Sequence, residues 1–355
     1  MNPFKFGTIV ENDFFTDRVR ELEEVKQKLN SENHLVLISP RRFGKSSLIQ
    51  KALVQMGRPA LTIDMMNVLS VEGFAAMLLK GVFKLYPLEK IRHLMTHFRV
   101  VPTISTTPMG DSVEVTFNAS MNDTVVLEDA MALLEKVSTP DKRLIVVLDE
   151  FQEVTEISKG FDRQLRAIMQ RQKGFNYVFL GSQESMMTEI FEKKKSPFYH
   201  FGQRMTLAKI PYEDFRDFLS ERMPVEAGQE KDSIVSEILE FTDVHPYYTQ
   251  QLASVVYDMI RYHSVCQHVV DEAVASIVRS HDLDFERLWA SMNRTDRYVM
   301  LDLARENKRD TSRHVPTSTV YSSLQRLAKK GYVIKSDTYE IEDPFFRKWI
   351  LEENA

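Results

Sequence analysis

The residues from Ser39 to Ser47 have the types and the spacing that bind nucleotide phosphates. The segment reads Ser-Pro-Arg-Arg-Phe-Gly-Lys-Ser-Ser and follows the apolar run Leu-Val-Leu-Ile. A phosphate-binding loop consists of Gly, four residues and Gly-Lys-Ser/Thr between a strand and a helix, so Ser39 stands where the first glycine is usual. Backbone N–H groups of such a loop cradle phosphate oxygens, Lys45 would neutralise the β- and γ-phosphates, and the Ser46 hydroxyl would bind Mg²⁺.

We therefore predict that this loop binds ATP together with Mg²⁺, and that Lys45 also takes part in catalysis. Ser39 is small, so the main chain can still approach a phosphate closely. The alternative is a basic turn that caps a helix, because the tripeptide Gly-Lys-Ser by itself is common. The predicted nucleotide-binding residues of the loop are Ser39, Arg41, Arg42, Phe43, Gly44, Lys45, Ser46 and Ser47.

Two carboxyl groups, Asp149 and Glu150, follow a second apolar run at residues 144–148. In enzymes with a phosphate-binding loop, an Asp at such a strand end holds the water shell of Mg²⁺. A neighbouring carboxylate can act as general base on the attacking water if it lies within hydrogen-bond reach. We predict that Asp149 holds the water shell of Mg²⁺ and that Glu150 acts as general base on the attacking water. The alternative is a strand that ends in a solvated acidic turn.

Polar residues also follow the apolar run at residues 177–180, where Gly181 precedes Ser182 and Gln183. A polar side chain at this strand end would lie between the two preceding strand ends and face the γ-phosphate. Ser182 and Gln183 are therefore candidate sensors of that phosphate. The alternative is a turn whose side chains satisfy their own backbone.

These residues require a scaffold, and the hydrophobic pattern predicts one in which strands and helices alternate. Such alternation favours an α/β fold, a parallel sheet with helices on both faces. A stretch at about residues 98–120, rich in Thr and Val and with a hairpin turn at Met109-Gly110-Asp111, predicts a β-rich insertion. The predicted strands are 35–38, 60–65, 144–148 and 177–180, and the predicted helices are 17–29, 46–56, 127–137 and 161–172.

Beyond about residue 206 the pattern becomes helical, and it stays so to residue 292. The last sixty or so residues predict a winged helix-turn-helix. A helix at 296–305 precedes a recognition helix from Thr317 to Lys330, which we expect Ser/Thr side chains to cap and Gly331 to end. Short strands at 332–334 and 339–341 would form the wing.

With these residues identified, the chain resembles the archaeal-type ATPases. That family sits among the signal-transduction ATPases with numerous domains, which are relatives of the AAA+ enzymes. The resemblance covers nearly the whole chain, and it depends on the order and spacing of several motifs. These are Phe15-Thr16-Asp17-Arg18 with Glu21-Leu22, Pro40 to Ser46, Leu148-Asp149-Glu150-Phe151-Gln152, Gly181-Ser182, Ser196-Pro197-Phe198-Tyr199, Phe201-Gly202-Gln203-Arg204, His245-Pro246-Tyr247-Tyr248, and Asp343-Pro344-Phe345-Phe346-Arg347-Lys348-Trp349.

The resemblance implies roles for four further residues. Phe15 and Arg18 would lie near the adenine and its phosphates. Arg204 would contact the γ-phosphate, within the chain or from a neighbouring copy, and spread charge in the transition state. Pro246 would close over the base from a helical lid. The alternative interpretations are purely structural: Arg204 would be a surface arginine, and Pro246 would be a proline at the start of a helix.

The sequence departs from the family pattern at three glycines, where it has Asp17, Ser39 and Val244. These departures bear on nucleotide affinity and turnover more than on the fold.

Composition narrows the class of protein. The 355 residues carry 46 Lys and Arg against 51 Asp and Glu, a net charge of −5, and 43% are hydrophobic, so wholesale disorder is excluded. One cysteine excludes a disulfide framework and a Cys-rich zinc site. A metal site at His263, Cys266 and His268 is disfavoured because no fourth ligand is nearby. We find no signal peptide or membrane-spanning segment and expect a cytoplasmic protein.

The net charge conceals an uneven distribution of charged residues along the chain. Residues 297–335 contain nine Lys or Arg against three acids, and residues 336–355 contain two against six, so the net charges are +6 and −4. The positive segment fits contact with DNA phosphates, whereas many winged helices contact only protein.

We therefore predict a P-loop ATPase core at 1–205, an AAA+-like helical lid at 206–292 and a winged helix at 293–355. The protein would be a regulatory switch that hydrolyses ATP slowly. Assembly into a homo-oligomer that depends on bound nucleotide is one alternative to a monomer. The rival functions are a non-hydrolysing nucleotide sensor that binds DNA, and a DNA-mobilisation motor.

Overall fold

The computed structural model describes residues 2–8, 14–15, 18–106, 113–117, 122–263, 268–305, 316–335 and 338–353. The predicted turn at Met109-Gly110-Asp111, the motif residue Asp17, and Cys266 lie outside these ranges. The chain forms two compact units. The sheet unit comprises Val19–Ser39 and Leu48–Leu207, and the helical unit comprises Met1–Arg18, Pro40–Ser47 and Ala208–Ala355. The division into three domains stays a prediction.

The sheet unit contains a five-stranded parallel sheet, which confirms the predicted α/β fold. The strand order is β2-β5-β6-β1-β7. Its elements are α1 Val19–Asn30, β1 Leu35–Ile38, α2 Lys45–Met56 (whose first three residues belong to the helical unit), β2 Ala60–Asp64, α3 Val71–Leu85, α4 Leu88–Met95, β3 Thr103–Thr106, β4 Val113–Thr116, α5 Asp123–Val137, β5 Ile145–Asp149, α6 Val154–Ile157, α7 Phe161–Met169, β6 Asn176–Gly181, α8 Glu184–Glu192 and β7 Gln203–Thr206.

The central strands form because both of their faces are covered. Every residue of β1 is buried, and so is every residue of β6. Such strands appear in the sequence as continuous apolar runs, and that is why the pattern predicted them. The antiparallel pair β3–β4 lies in the stretch that was predicted to be a β-rich insertion. Helices α3, α4, α6 and α8 and strand β7 were not predicted.

The helical unit has a core of its own, in which α10, α11 and α12 pack against the C-terminal elements. Its elements are α9 Tyr212–Arg222, α10 Lys231–Thr242, α11 Pro246–His263, α12 Val269–Ser280, α13 Asp282–Ser291, α14 Arg294–Ala304, α15 Thr317–Lys330, β8 Val333–Lys335, β9 Tyr339–Ile341 and α16 Pro344–Glu353. Among the described residues, no helix is long and apolar enough to span a bilayer.

The C-terminal elements have the helix, helix and hairpin order expected of a winged helix. The predicted range of α15 is confirmed, and Gly331 ends it in the left-handed conformation at φ 78°. The predicted Ser/Thr cap is wrong: the N-cap residue is Pro316, whose side chain cannot accept a hydrogen bond. Asp296 of α14 accepts bonds from Ser323 and from Arg326, whose Nε lies 3.0 Å away, and these bonds hold α14 to α15.

Candidate functional site

Three strand ends meet at the carboxyl edge of the sheet. Because β6 lies between β5 and β1, the residues that follow β6 stand between the ends of those two strands, as predicted. Asp149 is the last residue of β5, and the Pro40–Ser47 loop begins two residues after β1 ends at Ile38. The Ser39 N–H donates to the Gly181 carbonyl at 3.4 Å, so β1 stays paired with β6 up to the loop.

Glu150 is fixed in orientation by its neighbours. Its backbone is left-handed, with φ 50°, and its N–H donates to Asp149 Oδ1 at 2.9 Å. Its Oε2 accepts a bond from the Ser182 hydroxyl at 2.6 Å and a second bond from the Gln152 side-chain amide. The structure therefore brings together the predicted general base, the residue predicted to serve magnesium and one of the two predicted sensors.

The other predicted sensor, Gln183, has a different place. It is the N-cap residue of α8, where its carbonyl accepts the Met187 N–H at 2.9 Å and its side chain makes no capping bond. Gln152, by contrast, was not predicted as a site residue. The motif Leu-Asp-Glu-Phe-Gln contained it, but only the fold shows that its amide reaches Glu150.

Arg204 lies away from the carboxyl edge of the sheet. It pairs in register with Val36, two residues before β1 ends, and its guanidinium forms an ion pair with Glu192 of α8. Both of these side chains are well exposed. Within the sheet unit, the structure therefore does not bring Arg204 to Asp149 and Glu150.

The phosphate-binding loop has the backbone that its sequence requires. Gly44 has φ 86°, and a Cβ there would meet no atom within 4 Å, so conformation rather than space calls for glycine. Lys45 is the first residue of α2, is buried, and donates from Nζ to the Pro40 carbonyl at 3.0 Å. Ser46 and Ser47 occupy the same first turn, where helix N–H groups and the dipole favour an anion.

Arg18 supports the loop from within the helical unit. The side chain is only 5% exposed, and its Nη2 donates to the Phe43 carbonyl at 3.1 Å and to the Ala208 carbonyl at 2.9 Å. Phe15 is half-buried. Pro246 is buried and is the first residue of α11, as the helix-start alternative expected. The structure thus assigns Arg18 contacts with the loop that the sequence did not specify.

A chain of polar contacts connects the loop to the C-terminal elements of the same unit. Arg42 stacks on the Tyr247 ring at 4.4 Å and donates from Nη1 to the Tyr248 hydroxyl at 2.9 Å. That hydroxyl donates to Glu342 Oε2 at 2.6 Å. Burial raises the pKa of Tyr248, so it stays a donor, and burial raises the pKa of Glu342 to about 7. The family motifs contained Arg42 and both tyrosines, but the contact with Glu342 could be found only in the fold.

The residues available for magnesium are oxygen donors. Mg²⁺ in proteins keeps several waters and binds through one or two carboxylates together with substrate phosphates. The Ser46 hydroxyl and the Asp149 carboxylate are of the type that suits such a partly hydrated ion. Among the described ranges, no three His, Cys, Asp or Glu residues cluster as an all-protein metal site would require.

Comparisons with known proteins agree with this architecture. The model of a family described as an ATPase domain predominantly from Archaea matches residues 15–252. A Walker-type ATPase of Pyrococcus abyssi is structurally similar at 16% identity, with a TM-score of 0.66, and the similarity covers 98% of this chain and 99% of that one. No curated protein matches by sequence.

Two further solved structures share the fold. The Orc2 protein of Aeropyrum pernix, in ADPNP–ADP complexes, has a TM-score of 0.56 at 14% identity over 99% of both chains. The Orc1 protein of the same organism, in complex with DNA, has a TM-score of 0.53 at 13% identity over 97% of this chain and 94% of that one.

Proposed function

The chain belongs to the family of ATPase domains found predominantly in Archaea, and we propose on this basis that it binds ATP and hydrolyses it slowly to ADP and phosphate. The observation that carries hydrolysis is the orientation of Glu150 by Ser182 and Gln152. A carboxylate held at the carboxyl edge of the sheet could act as general base on a water molecule that attacks the γ-phosphate.

Each residue of the loop would have a separate task. Backbone N–H groups from Gly44 to Ser47 would bind the phosphates, and Lys45 would leave the Pro40 carbonyl to neutralise them. Arg18 would keep the loop in shape through the Phe43 carbonyl, while Phe15 and Pro246 would border the base. Orc2, a relative in fold, was solved with ADPNP and ADP, which supports nucleotide as the ligand.

Magnesium would be held by the Ser46 hydroxyl and, through water, by Asp149. When bound, Mg²⁺ supplies charge neutralisation at the β- and γ-phosphates. Glu150 would take the proton of the attacking water. Ser182 would report on the γ-phosphate through its bond to Glu150. Arg204 pairs with Glu192, so we assign it to a neighbouring copy's γ-phosphate, which would make hydrolysis depend on assembly.

The experiment that tests the proposal separates binding from turnover. We expect Glu150→Gln to lower kcat about a hundredfold or more while the Kd for ATP changes less than about threefold, because a general base contributes about 10²–10⁴-fold. The matched control is Glu156→Gln, an exposed carboxyl in α6, which should leave both constants unchanged. If the wild-type protein did not turn over ATP, either alone or with ligands, the proposal of hydrolysis would be contradicted. The remaining function would be that of a regulator that senses nucleotide without hydrolysing it.

The C-terminal elements favour a second activity. Lys329 and Lys330 are exposed at the end of α15, and the hydroxyl residues from Thr317 to Thr319 are exposed at its start. We propose that α15 is the recognition helix of a winged helix that binds DNA, and that nucleotide state sets its exposure through a hinge or order–disorder switch. The Orc1 relative was solved with DNA, which supports this choice over a protein partner. A DNA-mobilisation motor would also need ring assembly and turnover that DNA stimulates.

A further inference from the structure

The helical unit contains an open cavity of about 700 Å³ to which the ATPase proposal assigns nothing. Its apolar wall is formed by side chains of α15 and of the β8–β9 hairpin, among them Leu324, Ile334 and Ile341. The end of α10, His245 and part of α14 also line the cavity. Cavities of about 300–1,000 Å³ with an apolar wall and a few polar groups are the usual form of small-molecule sites.

The charged groups that line the cavity are mostly acidic. They comprise five carboxyl groups and two basic side chains, those of Lys209 and Arg347, so their net charge is −3 when all of them are ionised. The Lys209 ammonium forms ion pairs with Asp243 and with Glu340, the second at 3.2 Å. The cavity lining thus already binds one ammonium group belonging to the protein. The five carboxyl groups are those of Glu240, Asp243, Asp302, Glu340 and Glu342.

One buried polar atom of the cavity lining has no hydrogen-bond partner within the described part of the chain. His245 is 2% exposed, and its Nδ1 accepts the backbone N–H of Tyr247 at 3.2 Å, so the neutral ring carries its proton on Nε2. Burial lowers the pKa of His245 to about 3, which keeps the ring neutral. Among the described residues its Nε2 has no hydrogen-bond partner, and Glu342 Oε1 lies 3.7 Å away, beyond hydrogen-bond length.

The carboxyl group of Glu342 faces this His245 N–H donor. Because burial raises the pKa of Glu342 to about 7, the group is readily protonated near neutral pH. One of its oxygens accepts the Tyr248 hydroxyl, while the other faces His245. A cation in the cavity would stabilise the ionised form of Glu342. The ionised Oε1 could then accept the His245 N–H after a small side-chain rotation, so that ligand charge and buried donor would both be satisfied.

We propose that this cavity is a binding site for a small organic cation, an alkyl- or arylammonium, with its charge at Glu342 and its apolar body against Leu324 and Ile341. The acidic side chains would repel an organic anion, and an uncharged ligand would add no charge that stabilises the ionised form of Glu342. The proposal concerns binding alone, so it does not depend on ATP hydrolysis.

Binding can be measured by calorimetry on the full chain without nucleotide, with 2-phenylethylammonium, 2-phenylethanol and phenylacetate as probes. We expect the ammonium probe to bind at least about tenfold more tightly than the alcohol, a difference of about 1.4 kcal/mol, and phenylacetate to bind weakest. Glu342→Gln should weaken binding of the ammonium probe about tenfold, and Leu324→Trp should abolish it by filling the cavity. Tyr321→Trp, at an exposed position of the same helix, is the matched control and should bind as wild type does.

The proposal is overturned if the alcohol binds as tightly as the ammonium, if none of the three probes binds, or if both cavity variants keep wild-type affinity. Circular dichroism of each variant checks the fold. Should Leu324→Trp fail to fold, Glu240→Gln at the exposed rim takes its place and is expected to weaken the ammonium probe about threefold.

Glu342 gives the site a route to the phosphate-binding loop, through Tyr248 to Arg42. This consequence rests on the proposed function. We expect the ammonium probe, at saturation, to change the Kd for ATP about threefold or more, and Tyr248→Phe to remove that change. If the ammonium probe binds without any change in the Kd for ATP, the cavity remains a binding site, but its coupling to the phosphate-binding loop is excluded.

Discussion

The bond between Ser182 and Glu150 is the residue-scale feature on which the proposed hydrolysis depends. Glu150 sits in the left-handed region at φ 50°, a conformation that most side chains avoid, and its carboxylate is held by two side chains. Strained residues of this kind collect at functional sites when their surroundings hold them in place. The structure thus suggests that Glu150 is pre-oriented before any substrate binds.

We expect Ser182→Ala to lower kcat for ATP hydrolysis about tenfold, with little change in the Kd for ATP, because it loosens the base without removing it. Ser185→Ala, at an exposed position of α8, is the control and should leave both constants unchanged. Steady-state turnover and equilibrium binding of ATP provide the measurements. A rise in Kd with an unchanged kcat would show instead that Ser182 acts only in binding.

At the scale of single residues, the sequence was better at indicating candidate site residues than at indicating the side chains that they contact. Asp149 and Glu150 could be found because they follow a buried apolar run, and Lys45 because its motif is local. The Ser182–Glu150 bond needs β6 to lie beside β5, and the strand order is decided by packing of the whole sheet. Glu342 reaches Tyr248, which is distant in the sequence, only in three dimensions. Gln152 is a near neighbour of Glu150, and the sequence did not show that the left-handed turn at Glu150 brings the two side chains together.

The junction between α10 and α11 has an unusual backbone conformation. Asp243 and Val244 follow each other in the left-handed region, at φ 47° and φ 55°. A β-branched residue is unfavourable there, by about 1–2 kcal/mol. The junction precedes His245 and Tyr248, so its shape positions the residues that contact the phosphate-binding loop and line the cavity.

We expect Val244→Gly to be more stable than Val244→Ala by about 1 kcal/mol, although both lose the same two methyl groups. Alanine keeps the Cβ that opposes the left-handed backbone, whereas glycine has none. Urea unfolding of the two variants gives the comparison, and wild type serves as the reference for lost packing. An alanine variant as stable as the glycine variant would mean that the junction carries no such strain.

The strength of the local pattern explains only part of which elements were predicted, because α3 was missed although its buried apolar residues recur at helical spacing. Helix α15 has apolar residues at helical spacing and a glycine directly after it, and its range was predicted in full. Strand β7, Gln203–Thr206, is a short edge strand with a single buried residue, so it offers no apolar run to recognise. The cap of α15 was mispredicted because Pro316, which fixes the helix start, is weaker as a signal than the three hydroxyl residues after it.

For the whole molecule, the distribution of charge matters more than its sum. A net charge of −5 is unremarkable, yet residues 297–335 carry +6 and the last twenty residues carry −4. In the structure, Arg326 of that positive segment is engaged with Asp296, whereas Lys329 and Lys330 are exposed at the end of α15. The lysines are therefore the basic side chains of α15 that are best placed to contact a phosphate backbone.

If α15 binds DNA, replacing Lys329 and Lys330 together by alanine should weaken binding and lower the slope of log K against log salt by about two, since each phosphate contact contributes about 0.9. The variant Lys194→Ala/Lys195→Ala removes the same charge from an exposed basic run and should behave as wild type. Binding is followed by fluorescence anisotropy on duplex DNA across a salt series, with ATP turnover measured with and without DNA. Equal slopes for both variants, or no binding by wild type, would assign α15 to a protein partner, and turnover unchanged by DNA would exclude the motor.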